Sequence, residues 1–371
     1  MDAKNLIDYF ELIPDPRVNR TLWHKLPNVL FIALCAVLCG AEHWTHIEEY
    51  GKANEKWLRQ FLVLRYGIPS HDTFGRIFAV LDPSAVEQSL RAFVRDFAGE
   101  SAGKHIAMDG KTLRRSFDKA AEKNAIHMVT AWVYENHTSF GQIKVAEKSN
   151  EITAIPQLLD LLELKGATIT IDAMGCQTAI AQKIVSADAD YILALKGNQG
   201  TLHEEVSEFF DDVLVRGFDA ELEYCHSIEK GHGRIEERTV WLSKDVNWLR
   251  DIKKWAGLNA IIAVESKRTI NGNTSTERRH FIASGQKSVK ESAQIIRQHW
   301  SIENELHWTL DVVFGEDLCR IRKGNAAENF SRIRRLALAI LKKDTKAKVG
   351  IQGRRLKAAW NHNYLMKLLR I

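Results

Sequence analysis

The sequence predicts an α/β protein. A mixed sheet carries helices, an all-helical segment precedes it, a β-rich insertion interrupts it, and a basic helical tail follows. Three observations predict this. Residues 1–98 space their apolar side chains helically, from 104 onward short β-rich runs alternate with helices, and from Arg320 the charge turns strongly positive. The 371 residues suit two or three packed units, and 45% hydrophobic with 27% charged residues is ordinary globular usage that excludes disorder.

The first 98 residues place helices over 28–39, 46–61, 71–81 and 83–97, with Ser84 and Glu87 spaced as a capping box. The apolar run VLFIALCAVLC at 29–39 is too short to span a bilayer and reads as a buried helix. A linker, GESAG, ends this segment. Strands are then predicted at 105–108, 127–134 and 140–145, a helix at 153–164, a strand at 167–171, a helix at 177–187 and a strand at 191–195. Strands two and three suit an antiparallel hairpin and the later ones parallel crossovers, which is the ribonuclease-H-like arrangement.

The insertion spans 201–288. It is read as a helix at 201–215 and strands at 237–243, 260–267 and 280–284, with Asn271-Gly272 as a hairpin turn. A long helix is expected over 290–313. From Arg320 to Ile371 there are 15 Lys or Arg against two acids, a net +13, so the other 319 residues carry a net −8. That asymmetry points to a polyanionic partner. Five scattered cysteines form no CxxC pair and no secreted framework, so reduced thiols and a cytoplasmic location are expected.

Two acids stand out. Asp109 and Asp172 each follow an apolar run, HIAMD and ITID, and strand ends in open α/β sheets line the ligand crevice. Neighbouring carboxylates resist joint ionisation unless a cation lies between them, and two hard oxygen donors suit Mg²⁺ or Mn²⁺ better than zinc. A third acid is expected from the helix in RQHWSIENELHWTLDVVFGED, where Glu303, Glu305, Asp311, Glu316 and Asp317 are all candidates. His299 and His307 flank Glu303 at four residues on either side, but HExxH is absent and no cysteine is near, which disfavours zinc. Trp300 and Trp308 read as core packing.

The segments IAMDGKTLRRS, EKSNEITAIPQLL, ITIDAMGCQ, LALKGNQG, HWSIENELHWTLDVVFGED and IRKGNAAEN, with HKLPNVLFIALCAVLCGAEHW near the start, resemble the H-repeat-associated insertion-sequence transposases of the DDE superfamily. The resemblance implies a catalytic and metal-binding triad of Asp109, Asp172 and Glu303 that holds two Mg²⁺ or Mn²⁺ ions. It implies an enzyme that binds element ends, cleaves DNA and joins the freed 3′-hydroxyl to target DNA by in-line phosphoryl transfer. Related transposases carry a Tyr and an Arg before the Glu and a Lys after it. Here Arg297 precedes Glu303 by six residues, and no Lys follows within the helix.

The expected partner is double-stranded DNA, at element ends and target, with a homodimer assembled on it and no membrane. Candidate DNA contacts are Lys111 and Arg114 after the first acid, Lys196 and Asn198 in a Gly-rich loop, Arg234 beside His232 in the insertion, Arg297, and Arg320, Arg322 and Lys323 after the third acid. The expected units are a helical domain (1–98), a catalytic domain (104–200 and 289–325), the insertion (201–288) and the tail (326–371). Two rival readings share these residues: a nuclease of the same type that cuts without joining, and a non-catalytic DNA-binding remnant.

Overall fold

The computed structural model describes residues 6–18, 22–117, 123–146, 149–231 and 233–370. The first helices are α1 (Leu6–Glu11), α2 (Leu26–Leu38), α3 (Trp44–Ala53), α4 (Glu55–Leu58), α5 (His71–Val80) and α6 (Pro83–Ala98). Every residue of α2 except Pro27 is buried, and Pro27 lies in the first turn, where its missing N–H has no intrahelical partner to lose. The cap of α6 corrects the sequence reading. Asp82, not Ser84, accepts from the amides of Ser84 and Ala85. Glu87 is drawn inward instead, against two arginines of a distant helix.

Among the described residues one mixed sheet has the order β3-β2-β1-β4-β5-β9-β8-β7-β6. Its first half is β1 (His105–Leu113), β2 (Ile126–Val133), β3 (Thr138–Lys144), β4 (Thr168–Ile171) and β5 (Asp190–Leu195). β1, β2 and β3 meander antiparallel, while β4 and β5 run parallel to β1. The crossovers are α7 (Glu151–Leu159) and α8 (Thr178–Ser186).

After α9 (Gly200–Leu214) come β6 (Glu223–Gly231), β7 (Arg234–Ser243), β8 (Leu258–Ile270) and β9 (Asn273–Ser284). β9 pairs antiparallel with β5, from Ile192 opposite Ala283 to Leu195 opposite His280, so the insertion lengthens the sheet rather than standing apart from it. Asn271 and Gly272 turn β8 into β9 with φ of 49° and 82°, as a two-residue hairpin with both central residues left-handed requires. β6 went unpredicted because seven of its nine residues, Tyr224 and all from His226 onward, are exposed on an outer edge with no apolar alternation.

The chain then returns across the sheet. α10 (Val289–His299) begins at a capping box of Ser288 and Glu291. Its Val289 and Ile296 seal a small core against Ile192, Val240, Ile262 and Ala283. The expected long helix is broken: Ile302–His307 widen into a π-helical turn before α11 (Trp308–Val312).

The final helices are α12 (Ala326–Lys343), α13 (Ile351–Trp360) and α14 (His362–Leu369). α12 lies at the centre of the molecule, against α2, α5, α6 and β3, and only its last two residues escape burial. Its Arg332 and Arg335 reach Glu87 of α6 at 2.7 and 2.8 Å, Arg335 also donates to the Ser139 hydroxyl, and the Gln142 amide of β3 donates to Glu87. Burial opposes the Glu87 charge, but the Arg335 and Arg332 guanidiniums hold its carboxyl below the usual carboxylate range. A share of the positive charge counted along the tail is therefore neutralised inside the protein. Arg355 is likewise buried, donating to the carbonyls of Val37 and Val313.

All five cysteines are free. Among the described residues no helix is long and apolar enough to cross a membrane.

Candidate active site

The parallel ladder between β1 and β4 runs from His105 opposite Thr168 to Met108 opposite Ile171. The next residue on each chain is Asp109 and Asp172. The two strands then part company. β4 ends and Asp172 caps a short turn, its carboxylate accepting from Met174 N and Gly175 N at 3.1 and 3.3 Å. β1 continues to Leu113, paired only with β2, so Asp109 lies within a strand rather than after one, as the sequence had implied. What the strand-end reading captured is the end of the β1–β4 ladder.

Side chains alternate across a strand, so Ala107, Asp109 and Lys111 share one face of β1. α10 and the π-helical turn cross that face. Thr170 and His299 meet there at 2.8 Å and Trp132 donates to Ser301 at 2.9 Å, which fixes the helix over the sheet. Thr170 also meets His105 at 2.8 Å. Burial lowers His299, and burial with the neighbouring His299 pushes His105 down to about 3, so both imidazoles are neutral at physiological pH.

The π-helical turn brings Glu303 and His307 to Asp109. His307 Nδ1 stands 3.4 Å from Asp109 Oδ2 and 3.5 Å from Glu303 Oε2. One donor atom from each of the three residues lies within 4.8 Å of the others. Burial works against the His307 charge, yet the Asp109 and Glu303 carboxylates raise it to about 9. Glu303 is exposed, and the His307 imidazolium draws its carboxyl below the ordinary value against a smaller effect of burial. Asp172 is shifted the other way: burial first, then the Glu151 carboxylate and more weakly Asp109, raise it despite the Gly175 amide. A crowd of acids that resists ionisation on one side and is open to solvent on the other fits a divalent cation. Asp109 and Glu303 bring carboxylate oxygens of the kind such an ion takes into one group, and Asp172 lies outside that group.

Behind Asp172 stands a pair the sequence reading did not single out. Glu151, at the start of α7, meets His127 Nε2 at 2.6 Å. Both lean over Gly110, where a Cβ would fall 1.9 Å from Glu151 Oε1 and 2.5 Å from His127 Nε2. The glycine after Asp109 is the space they occupy.

Other expected contacts are placed unequally. Lys111 is half-buried and ion-paired with Asp311 and with Glu316, the latter at 3.0 Å, so it is held within the protein rather than offered to DNA. The same pairing occupies Asp311, another of the candidate third acids. Glu316 is buried, and Glu305 faces Lys342 and His137. Arg114 is exposed, with Asp317 3.3 Å away. Lys196 is exposed, and Asn198 donates to the Ala173 carbonyl at 2.7 Å, tying the loop after β5 to the loop after Asp172. Arg234 pairs with Glu236 and Arg297 with Glu229, both at 2.7 Å. His232 falls outside the described residues. Arg320 and Lys323 are exposed and Arg322 lies over the Phe117 ring. These three line a cleft with Arg76 and His71 of α5, which the sequence reading had not connected with them.

Trp300 and Trp308 overturn the expectation of core packing. They are 43% and 57% exposed, and Arg279 lies over the Trp300 ring. The two tryptophans flank the π-helical turn in sequence, and both indoles face outward.

The chain is similar to known proteins along its whole length. Residues 100–340 match the model of the transposase DDE domain, and residues 7–94 match that of the DDE_Tnp_1-associated domain. The chain is 40% identical, over its full length and 98% of the relative, to "H repeat-associated putative transposase YhhI" of Escherichia coli (strain K12). It is 42% identical to "Putative transposase YncI" of Escherichia coli O157:H7, over its full length and 95% of that protein. It is also 46% identical, across 74% of its length and 93% of the relative, to "Uncharacterized protein in dhlA 3'region" of Xanthobacter autotrophicus.

Proposed function

The chain belongs to the transposase DDE-domain family, and from that premise we propose that it is an insertion-sequence transposase acting on double-stranded DNA with Asp109, Asp172 and Glu303 as its catalytic acids. The observation that carries the reading is the ladder step at which Asp109 and Asp172 succeed Met108 and Ile171, with Glu303 brought over Asp109. The strand order β3-β2-β1-β4-β5, antiparallel then parallel, supports reading this half of the sheet as a ribonuclease-H-like core extended by the insertion.

Asp109 and Glu303, with Asp172 at the matched end of β4, are the residues that would hold the divalent ions. Bound there, Mg²⁺ or Mn²⁺ neutralises phosphate charge and favours in-line displacement of a phosphodiester oxygen. The two Asp172 hydrogen bonds to backbone amides fix its carboxylate before substrate arrives, which lowers the cost of organising the site. Thr170, His299 and His105 lock α10 to β4 and so hold Glu303 at its distance from the sheet. Arg114, Lys196, Arg320, Arg322 and Lys323 would hold DNA through its phosphates, with Asn198 keeping the Lys196 loop in place. The same site serves hydrolysis at the element end and attack of the freed 3′-hydroxyl on target DNA, because both are in-line phosphoryl displacements. Paired ends call for a dimer on DNA.

A joining assay tests this. A pre-cut element end and a target plasmid, incubated with the chain and Mg²⁺, are expected to yield joined product. Hydrolysis without joining would make the protein a nuclease, and DNA binding with neither reaction would make it a remnant.

A further inference from the structure

We propose that His307 is itself a metal ligand, so that the Glu303 end of the centre is a mixed nitrogen–oxygen site of Asp109, Glu303 and His307. The inference rests on the metal-centre reading above and deepens it.

His307 is buried, and Nδ1 faces the gap between Asp109 and Glu303. At 3.4 and 3.5 Å it is too far from either oxygen for a good hydrogen bond, which would draw it to about 2.7–3.2 Å. It is nearly equidistant from both. That is the disposition of co-ligands, because donors around one ion are spaced by their bonds to it and not by attraction to each other. With bonds of about 2.1 Å, donors at right angles stand about 3 Å apart and opposed donors about 4 Å. The three donor atoms, all within 4.8 Å of one another, need only a small contraction to meet those spacings. The Nε2 atom is buried with no hydrogen-bond partner, so the ring is not oriented by a contact on its far side.

The consequence is an asymmetric centre. The Asp172 end offers carboxylate oxygen alone and suits Mg²⁺. The Glu303 end adds imidazole, which shifts its preference toward first-row transition ions such as Mn²⁺.

The test uses the full-length, untagged chain with Mn²⁺ as the only metal, read by pulsed electron paramagnetic resonance. The unmodified chain is expected to show imidazole ¹⁴N coupling to bound Mn²⁺, and labelling its histidines with ¹⁵N is expected to change that coupling. His307→Gln is expected to remove the coupling and weaken Mn²⁺ binding at least about tenfold, since loss of an outer-shell partner alone costs about that much. His299→Gln is expected to keep the coupling. Mn²⁺ bound to the unmodified chain without nitrogen coupling, or coupling that survives His307→Gln, would overturn the inference and leave the three-acid centre standing. Failure of the unmodified chain to bind Mn²⁺ at all, or binding undiminished by Asp109→Asn, would overturn the centre itself and the inference with it.

Discussion

Met108 and Ile171 form the last step of the parallel ladder between β1 and β4, and an aspartate follows each of them. Side chains at matched positions of parallel strands point the same way, so the ladder brings the two aspartates out at the same end. A single register shift in either strand would turn one of them to the opposite face.

Asp109→Asn and Asp172→Asn are therefore expected to reduce strand cleavage by at least on the order of 10²–10³-fold while DNA binding is retained. Gel-shift and cleavage assays on the same preparations check this. Cleavage at the unmodified rate in either variant would remove that residue from the site.

Lys111 and Lys323 separate an internal cation from a DNA-facing one. Lys323→Gln is expected to lower the slope of log affinity against log salt by about one, and Lys111→Gln to leave it unchanged. Lys111→Ala instead strands Asp311 and the buried Glu316, at a cost of about 3–5 kcal/mol in unfolding free energy. Salt titrations of DNA binding and urea melts read the two effects independently.

Glu87 ties α6, α12 and β3 together. Glu87→Ala leaves Arg332 and Arg335 buried without their carboxylate and is expected to destabilise by about 3–5 kcal/mol. Because its folded-state carboxyl lies below the ordinary value, its contribution is full at neutral pH and is lost as the pH falls through the folded value. Urea midpoints measured at neutral and acidic pH should converge for the variant and the unmodified chain on acidification.

His105 and His280 act in the same direction for a different reason. Burial, helped by His299 and His203 respectively, pushes them to about 3 and about 4. The unfolded chain takes up protons near pH 6.5 while the folded one does not, so stability is present above that pH and is lost as the pH falls toward 4. His105→Gln is expected to flatten the fall between pH 7 and 5. An equally steep profile in that variant would mean that His105 is already protonated in the fold.

Much of this architecture was legible because it depends on local pattern. The Asn271-Gly272 turn and the buried apolar run of α2 follow from backbone sterics and hydrophobic spacing within a few residues. The placement of Asp109 and Asp172 at one end of the β1–β4 ladder was legible for the same reason, since each follows a short apolar run. The proposed third acid was not. Glu303, Glu305, Asp311, Glu316 and Asp317 are alike in spacing, and only tertiary contacts tell them apart: Asp311 and Glu316 are held by Lys111, and Glu305 by Lys342. The π-helical turn leaves no mark in a 3.6-residue periodicity, so the outward placement of Trp300 and Trp308 was hidden as well. Net charge misled along α12, because a count of arginines does not reveal that Arg332 and Arg335 find one glutamate 245 and 248 residues earlier.

The central place of α12 also sets the order of events during synthesis. α2, α5 and α6 emerge from the ribosome more than two hundred residues before the helix that fills the space between them and the sheet. Until residue 343 has been translated, those helices carry an apolar surface with no partner, open to chaperones and proteases. A nonsense or frameshift mutation in the gene upstream of α12 would thus release a fragment fated for degradation, and not a half-sized protein able to occupy DNA.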